Sequence, residues 1–355
     1  MLEVANLLSD AVKQGSSDVY IVAGRPVTFK AHGQLITQNE GFLDPAATEQ
    51  LVRGIYALAN NRNINSVMSD GDDDFSFALA GVSRFRVSAY KQRGSLAAVI
   101  RVVNFDLPDP SAIGIPETVL KLANNTKGLV LVTGPAGSGK STTLACIIDQ
   151  INRTRCDHII TLEDPLEYLH RHNKSIVSQR EISTDTESYV TALRAALRQS
   201  PDVILLGEMR DLETITVAMT AAETGHLVIS TLHTVSAAST IDRIVDTFPP
   251  NQQPQIRVQL SMVLQGVVSQ QLLPTTDQRI APAFEIMICN SAIRNMIRES
   301  KIHQMDTVIQ SSAAEGMVMM DSSLLNLYRK GTISEHNAIV HSSNPDQMAK
   351  KIKLL

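Results

Sequence analysis

The stretch GPAGSGKST, residues 134–142, decides the architecture of this chain of 355 residues. It satisfies the pattern G-x-x-x-x-G-K-[ST] and stands between an apolar run and a predicted helix. In a strand, loop and helix of this kind, backbone N–H groups can surround phosphate oxygens, Lys140 can reach the β and γ phosphates, and Ser141 can ligate Mg²⁺. We therefore predict a phosphate-binding loop made of Gly134, Pro135, Ala136, Gly137, Ser138, Gly139, Lys140, Ser141 and Thr142.

Apolar, β-branched runs alternate with helical patterns on both sides of this loop. The runs are GLVLVTG (128–134), HIITL (158–162), DVILLG (202–207) and HLVIST (226–231). Such runs between helices indicate strands buried on both faces of a largely parallel sheet. From about residue 236 the pattern is mostly helical, with one strand-like run at 282–289. We predict an α/β domain over 117–355 with a helical C-terminal region.

The N-terminal part of the chain has a different pattern. Residues 1–105 contain two helical segments and several short alternating runs, which predict a small α+β domain. The stretch 104–117 that follows has three prolines and little periodicity, so it can continue neither a strand nor a helix. We place a linker at 106–116, between two domains.

Carboxylates follow two of the predicted buried strands. Glu208 comes directly after VILLG and should emerge at the carboxyl end of the sheet, where ligands of open α/β folds bind. Gly207 lets the backbone turn there and occupies the place where many such enzymes carry a Mg²⁺-binding Asp. Glu163 and Asp164 follow HIITL, and neighbours in an extended chain point to opposite sides. We expect Glu163 to face the metal or the water and Asp164 to serve a turn.

The segment TGHLVISTLHT (224–234) carries two histidines seven positions apart. On a helix this spacing would place both on one face, as a zinc pair requires, but on a strand it sends them to opposite sides. The β-branched HLVIST predicts a strand. We therefore expect His233 to emerge beside Glu208 as a sensor of the γ-phosphate or the water, and His226, at the opposite end, to make a structural or inter-subunit contact.

Hydrolysis also needs positive charge on the transition state, and the N-terminal domain offers several arginines. The candidates are Arg84, Arg86, Arg93 and Arg101, and their pattern alone does not choose among them. Such arginines are often supplied by a moving domain or a neighbouring subunit. The ordinary interpretation is the polar face of a sheet. The run SDGDDDF (69–75) lacks the spacing and the terminal Glu of a calcium loop, so we interpret it as a solvated turn.

Composition excludes several classes of protein. The net charge is −4, with Lys and Arg scattered and only 4% aromatic residues, which argues against a surface for nucleic acid. The three cysteines have no CxxC spacing, which indicates a reducing compartment. No signal peptide and no apolar run of membrane-spanning length is visible. We expect a cytoplasmic protein without direct membrane insertion.

Four motifs in order resemble those of the ATPases that power type II secretion and type IV pili. GPAGSGKST, IITLEDPLEY, DVILLGEMRD and TGHLVISTLHT resemble their Walker A, Asp box, Walker B and His box. Within that superfamily, the segments RFRVSAYKQRG (84–94) and AIRNMIRE (292–299) are most similar to the PilT-like pilus retraction ATPases. Extension and secretion relatives usually carry a tetracysteine zinc element, which three cysteines without CxxC cannot build.

The resemblance implies a homo-hexamer in which a PAS-like N-terminal domain is joined to a RecA-like P-loop ATPase domain, with ATP and Mg²⁺ bound between them. It implies that Glu208 is the catalytic glutamate, Glu163 the Asp-box acid, and His226 and His233 the His-box pair, which groups His226 with the nucleotide-binding residues. Arg86 and Arg101, fifteen residues apart, match the arginine fingers. Mg²⁺ is expected on Ser141, with Glu163 or Glu208 acting through water.

The function that this resemblance implies is a motor for pilus retraction. ATP hydrolysis would move the N-terminal domain against a neighbouring subunit and transmit force to a pilus platform protein at the cytoplasmic face of the inner membrane. A pilus extension or type II secretion ATPase of the same superfamily is the alternative, and a nucleic-acid motor is the alternative from another class. AIRNMIRE predicts an amphipathic helix, and packing alone would explain its pattern.

Overall fold

The computed structural model describes residues 2–31, 34–38, 41–103 and 107–354. Its contacts divide the chain into two units, Met1–Asp106 with Glu167–Leu169, and Leu107–Leu166 with His170–Leu355. The predicted domain boundary at 105–106 lies outside the described residues, whereas 107–116 belongs to the second unit.

The first unit is an antiparallel sheet with helices on one face. Its strands, in the order β3-β2-β1-β6-β5-β4, are β1 Ser16–Ile21, β2 Thr28–Ala31, β3 Gln34–Thr37, β4 Asp72–Leu79, β5 Ser83–Gln92 and β6 Ser95–Val103. Its helices are α1 Leu2–Lys13, α2 Pro45–Leu58 and α3 Asn65–Ser69. Alternate residues of β5 are buried against the helices, as in Phe85 and Val87, while Arg86 and Ser88 between them are exposed. The α+β prediction for this part is confirmed.

The acidic run 69–75 is not the solvated turn that we predicted. Strand β4 begins at Asp72, and Asp73 points toward the helices because it shares the face of Phe75. Its carboxylate accepts hydrogen bonds from Arg62, at 3.0 and 2.8 Å, and from the hydroxyl of Tyr56 at 2.9 Å. One carboxylate of the run thus ties the sheet to the C-terminal side of α2.

The second unit contains a mixed sheet of seven strands in its described part. Their order is β13-β12-β7-β11-β10-β8-β9, and all neighbours are parallel except β12 and β13. The strands are β7 Gly128–Thr133, β8 His158–Glu163, β9 Ile176–Glu181, β10 Val203–Leu206, β11 Leu227–Leu232, β12 Leu264–Pro274 and β13 Ile280–Ile288. Every residue of β7, β10 and β11 is buried, which explains their continuous apolar runs.

Helices cover both faces of this sheet, with one core cluster on each side. They are α4 Glu117–Lys121, α5 Lys140–Thr154, α6 Tyr189–Ala196, α7 Leu212–Glu223, α8 Ala237–Asp246, α9 Gln253–Val263, α10 Ser291–Arg298, α11 Met305–Ser311, α12 Met320–Arg329, α13 Glu335–Val340 and α14 Pro345–Lys353. Side chains of Ser188, Asp211 and Ser236 cap α6, α7 and α8, so each helix starts at a residue that the sequence specifies. In the described part of the chain, none of the helices has the length and apolar character that crossing a membrane requires.

The C-terminal region differs from the prediction that it is helical with one strand. Strand β12 lies parallel to β7, with Ser269 opposite Thr133, and the two hydroxyl groups are 2.8 Å apart. Its sequence LQGVVSQQLLP has neither clear alternation nor a pure apolar run, because several of its polar side chains bond inside the second unit. The sheet therefore continues two strands beyond the phosphate loop.

Candidate nucleotide-hydrolysis site

The predicted phosphate loop lies between β7 and α5. Strand β7 ends at Thr133 and α5 begins at Lys140, so Gly134–Gly139 form the connection. Lys140 Nζ donates to the carbonyl oxygens of Gly134 and Pro135, at 2.9 Å each, which places its ammonium group at the mouth of the loop. The first N–H groups of a helix have no partner within the helix, so the N-terminus of α5 offers donors to an anion.

Strand β12 forms a wall of this loop. Gly134 has φ 144°, and a Cβ atom there would lie 2.2 Å from the carbonyl oxygen of Gln270. The side chain of Gln270 is buried, and its Oε1 accepts a hydrogen bond of 2.7 Å from the Thr143 hydroxyl in the first turn of α5. Gln270 therefore fixes the position of both ends of the loop, although it lies far away in the sequence.

Glu208 and His233 lie side by side, as the sequence predicts. They follow β10 and β11, which are neighbouring parallel strands and therefore end at the same edge of the sheet. His233 Nε2 is 3.6 Å from Glu208 Oε2, and the Glu208 side chain is only 14% exposed. A histidine and a shielded carboxylate are thus brought together at the end of the sheet that carries the phosphate loop.

Arg210 is a member of this group that sequence reasoning missed. Its Nε lies 2.6 Å from Glu208 Oε2, and the hydrogen bond to Glu208 raises the pKa of the guanidinium group above its usual range. The signal in the sequence was a charged residue two positions after Glu208 in GEMRD. A cavity of about 450 Å³ adjoins the group, and its lining includes Glu208, Arg210, Thr231, His233, Arg243 and Thr247.

Glu163 ends strand β8, one strand further along the sheet. Its backbone oxygen accepts a hydrogen bond of 2.8 Å from Ile182 N, and its Oε1 is 3.5 Å from Gln179 Nε2 on β9. These contacts fix the end of β8, and Glu163 follows at the same edge of the sheet as Glu208 because β8 and β10 are parallel.

Tyr189 fills the space beside Gly207. The backbone bends at Gly207, as predicted, and a Cβ atom there would lie 2.7 Å from the Tyr189 hydroxyl. Burial raises the pKa of Tyr189, and the negative charges of Glu208, Asp164 and Glu163 raise it further. The phenol therefore stays protonated among the three carboxylates. No sequence motif marks this tyrosine, because it comes from the first turn of α6.

Few side chains near the phosphate loop are placed to ligate Mg²⁺ directly. In the described segments, no three His, Cys, Asp or Glu side chains gather closely enough to hold a metal ion by themselves. Ser141 lies in the first turn of α5, and Glu163 and Glu208 stand at strand ends. Mg²⁺ in phosphate sites usually takes few protein ligands and completes its shell with phosphate oxygens and water. The donor set is consistent with that mode.

His226 does not belong to the phosphate site of its own chain. It precedes β11, whose first residue pairs with Gly128, while the phosphate loop follows the far end of β7. The six residues of β11 lie between it and His233, so the two histidines are about 22–24 Å apart. Its Nδ1 donates to the Ala221 carbonyl oxygen at 2.9 Å, at the end of α7. Within one chain, His226 therefore lies away from the phosphate loop, and its part in nucleotide binding stays a prediction.

Arg86 and Arg101 lie in the first unit, directly opposite each other on β5 and β6. Both are exposed on the face of the sheet that the helices leave open. Arg84 lies on β5 opposite Val103, and Arg93 lies in the turn that joins the two strands. Of the four candidates, only Arg86 and Arg101 lie directly opposite each other on neighbouring strands.

A phosphate loop between a parallel strand and a helix, with a carboxylate and a histidine after the neighbouring strands, defines a P-loop nucleotide hydrolase of RecA-like α/β architecture. The chain belongs to the family described as Type II/IV secretion system protein, whose sequence profile matches residues 2–349.

Two relatives and one solved structure are similar to the chain over nearly its whole length. It is 44% identical over 345 residues to the type IV pilus retractation ATPase PilT of Pseudomonas aeruginosa, covering 97% of this chain and 99% of that protein. The twitching motility protein of Neisseria gonorrhoeae is 42% identical over 348 residues, covering 98% and 92%. A crystal structure of the pilus retraction motor PilT with bound ADP matches with a TM-score of 0.88 and 45% identity, covering 98% of each chain. The resemblance and the fold class predicted from the sequence are confirmed.

Proposed function

We propose that this chain is a Mg²⁺-dependent ATPase that drives retraction of a type IV pilus. The observation that carries the proposal is the placement of Glu208 and His233 at the end of the sheet that bears the phosphate loop. The relatives named for pilus retraction and twitching match the chain over nearly its whole length, which supports the same role here.

Each residue of the site has a distinct part in the proposed reaction. Lys140 and the N–H groups of 134–142 bind the β and γ phosphates of ATP, and the Ser141 hydroxyl would be a ligand of Mg²⁺. Glu208 orients and deprotonates the attacking water, and His233 beside it contacts the γ-phosphate or that water. When bound, Mg²⁺ neutralises charge on the phosphate oxygens.

The remaining parts complete the site and connect it to movement. Glu163 would hold a water bound to Mg²⁺, and Arg86 and Arg101 stabilise the transition state in a neighbouring subunit of a homo-hexamer. The arginines belong to the first unit of the chain and the phosphate loop belongs to the second. Because the arginines of one subunit contact the nucleotide of its neighbour, hydrolysis changes the contact between the two subunits. This movement acts on a pilus platform protein at the cytoplasmic face of the inner membrane.

Replacement of the catalytic carboxylate tests the chemistry. Glu208→Gln should still bind ATP and should lose about 10²–10⁴-fold in turnover, because an amide cannot take a proton from water. Lys140→Ala is the complementary variant and should fail to retain ATP. Turnover of Glu208→Gln at the wild-type rate, measured as phosphate release, would exclude this mechanism.

A deletion strain, scored for surface pili and twitching, tests the biological role. Loss of a retraction motor should leave cells with excess surface pili that do not twitch. Cells without pili would indicate the extension or secretion ATPase instead. Normal pili, together with salt-sensitive DNA binding by the purified protein, would indicate a nucleic-acid motor.

A further inference from the structure

A line of polar residues crosses the open face of the N-terminal sheet. The strand register places Lys30 opposite Asp18, Asp18 opposite Arg101, Arg101 opposite Arg86, and Arg86 opposite Ser76. Directly opposite residues on antiparallel strands have Cβ atoms about 4.5–5.5 Å apart. Asp18 is the one acid in this line, and the residues on either side of it, Lys30 and Arg101, are both basic.

The position of Arg101 depends on this acid. Like charges directly opposite each other on antiparallel strands destabilise the pairing, so Arg86 and Arg101 repel. Asp18 offsets this repulsion because its Oδ1 accepts a hydrogen bond of 3.2 Å from Arg101 Nε. Its Oδ2 accepts a bond of 2.8 Å from the hydroxyl of Ser17, which fixes the carboxylate. The Asp18 side chain is 9% exposed and that of Arg101 is 67% exposed.

The ion pair uses only one end of the guanidinium group. Arginine carries five N–H donors in a rigid plane, and Nε supplies one of them. Arg101 Nε bonds to Asp18, and the four N–H donors of the two terminal nitrogens form no ion pair with the described residues. A planar group held by Nε presents these donors outward, in the arrangement that suits bidentate binding of phosphate oxygens.

Arg86 is held differently. In the part of the chain that the structure describes it forms no ion pair, so its long side chain keeps its rotamer freedom. The two arginines thus differ in preorganisation although they stand on the same line. Arg101 is oriented before it meets a ligand, and Arg86 must be ordered by the ligand.

We propose that Asp18 is a positioning residue for the ATPase reaction. It holds Arg101 by Nε so that the two terminal nitrogens meet the phosphate of a nucleotide bound by a neighbouring subunit. The inference rests on the proposed function, in which Arg101 is an arginine finger. It assigns to Asp18 an effect on the transition state through Arg101, separate from any effect on folding.

A double-mutant cycle between Asp18 and Arg101 tests this role. Asp18→Asn, nearly the same shape without the charge, should lower kcat on the order of 10-fold, because a misplaced catalytic group loses much of its effect. KM for ATP should change less than about twofold, since Arg101 acts on the transition state. In an Arg101→Ala background, Asp18→Asn should cause no further loss of kcat. Asp18→Glu, which keeps the carboxylate, should restore part of the activity.

Asp73→Asn is the matched control. Asp73 is a shielded carboxylate paired with the exposed Arg62 in the same domain, but it lies on the face of the sheet that the helices cover. This variant should lower the melting temperature and leave kcat unchanged. If Asp18→Asn fails to fold, Arg101→Lys provides the second test, because an ammonium cannot bond to Asp18 and present a planar fork at once. It should then reduce kcat on the order of 10-fold, because the planar fork is lost.

The outcomes separate the inference from the proposed function. If folded Asp18→Asn keeps the wild-type kcat while Arg101→Ala is strongly impaired, the role of Asp18 is wrong and the finger assignment stands. If Arg101→Ala itself keeps full turnover, the finger assignment fails, and Asp18 has no catalytic group to position. Additive losses in the double mutant would also overturn the inference, because they would show that Asp18 acts independently of Arg101.

Discussion

Gly134 shows how closely the phosphate loop is packed at the scale of a single residue. Gly134→Ala should abolish ATP binding, because the new methyl group would meet the Gln270 carbonyl at 2.2 Å and the residue would need φ 144°. Thermal stabilisation by ATP measures this loss. Gly137→Ala is the control, since an added Cβ meets nothing within 4 Å there, and its cost should be only about 1–2 kcal/mol of local strain. Equal ATP binding by both variants would contradict the role of Gln270.

The residues of the site divide by how they can be recognised in a sequence. Lys140 and Glu208 stand in short motifs or at the ends of apolar runs, so their chemistry follows from local pattern. Tyr189 and Gln270 contribute through side-chain geometry, from a helix start and a distant strand. Nothing in the composition around them indicates a phosphate or a carboxylate. Contacts of this kind become visible only when the chain is folded.

At the scale of elements, the segment AIRNMIRE forms helix α10, which contacts the C-terminal end of α9. Helix α10 buries Ile293 and Ile297, as its amphipathic pattern predicts. Arg294 Nη1 donates to the carbonyl oxygens of Ser261 and Met262, at 2.7 and 3.0 Å. These carbonyls belong to the last turn of α9, where the helix leaves them without internal partners. Arg294 therefore caps α9 from a neighbouring helix.

Removal of this cap should destabilise the second unit. Arg294→Ala should lower the free energy of unfolding by about 1–3 kcal/mol, because half-buried carbonyls lose a charged donor. Urea titration of the purified protein measures the change. Arg298→Ala is the control, since Arg298 is exposed one turn later on the same helix and should change stability by less than about 0.5 kcal/mol. Equal losses for the two variants would contradict the cap.

The strands differ in how well a sequence specifies them, for a physical reason. Strands β7, β10 and β11 lie in the middle of the sheet and are covered on both faces, so apolar runs mark them. Strand β9, IVSQRE, lies at the edge, and it carries Gln179 and Glu181 toward other parts of the site region. Its polar side chains form hydrogen bonds within the protein instead of facing solvent. The sequence of β9 therefore shows neither the apolar run nor the regular alternation that predicts a strand.

At the scale of the whole molecule, His170 makes stability depend on pH. Burial lowers its pKa from 6.5 to about 4, so the folded chain keeps it neutral where the unfolded chain binds a proton. The unfolded state therefore takes up more protons between pH 6.5 and 4, and the stability contributed by His170 is lost as the pH falls through that range. The shift corresponds to about 3 kcal/mol.

Comparison with a variant that cannot titrate isolates this effect. His170→Leu should lose about 3 kcal/mol less stability than the wild type between pH 6.5 and 4, in urea titrations at several pH values. Parallel pH profiles for the two proteins would show that His170 is protonated in the folded state.

The hydrogen bond between Thr143 and Gln270 joins positions 127 residues apart, and it sets an order of events during synthesis. A ribosome produces the whole motif 134–142 long before it reaches β12. Until then the emerging chain contains the motif but lacks the strand against which Gly134 is packed. We therefore expect that ATP cannot act as a folding ligand while only the residues before β12, about three quarters of the chain, have been made. A premature stop before residue 264 should therefore leave a fragment that carries every predicted phosphate-binding residue and binds no nucleotide.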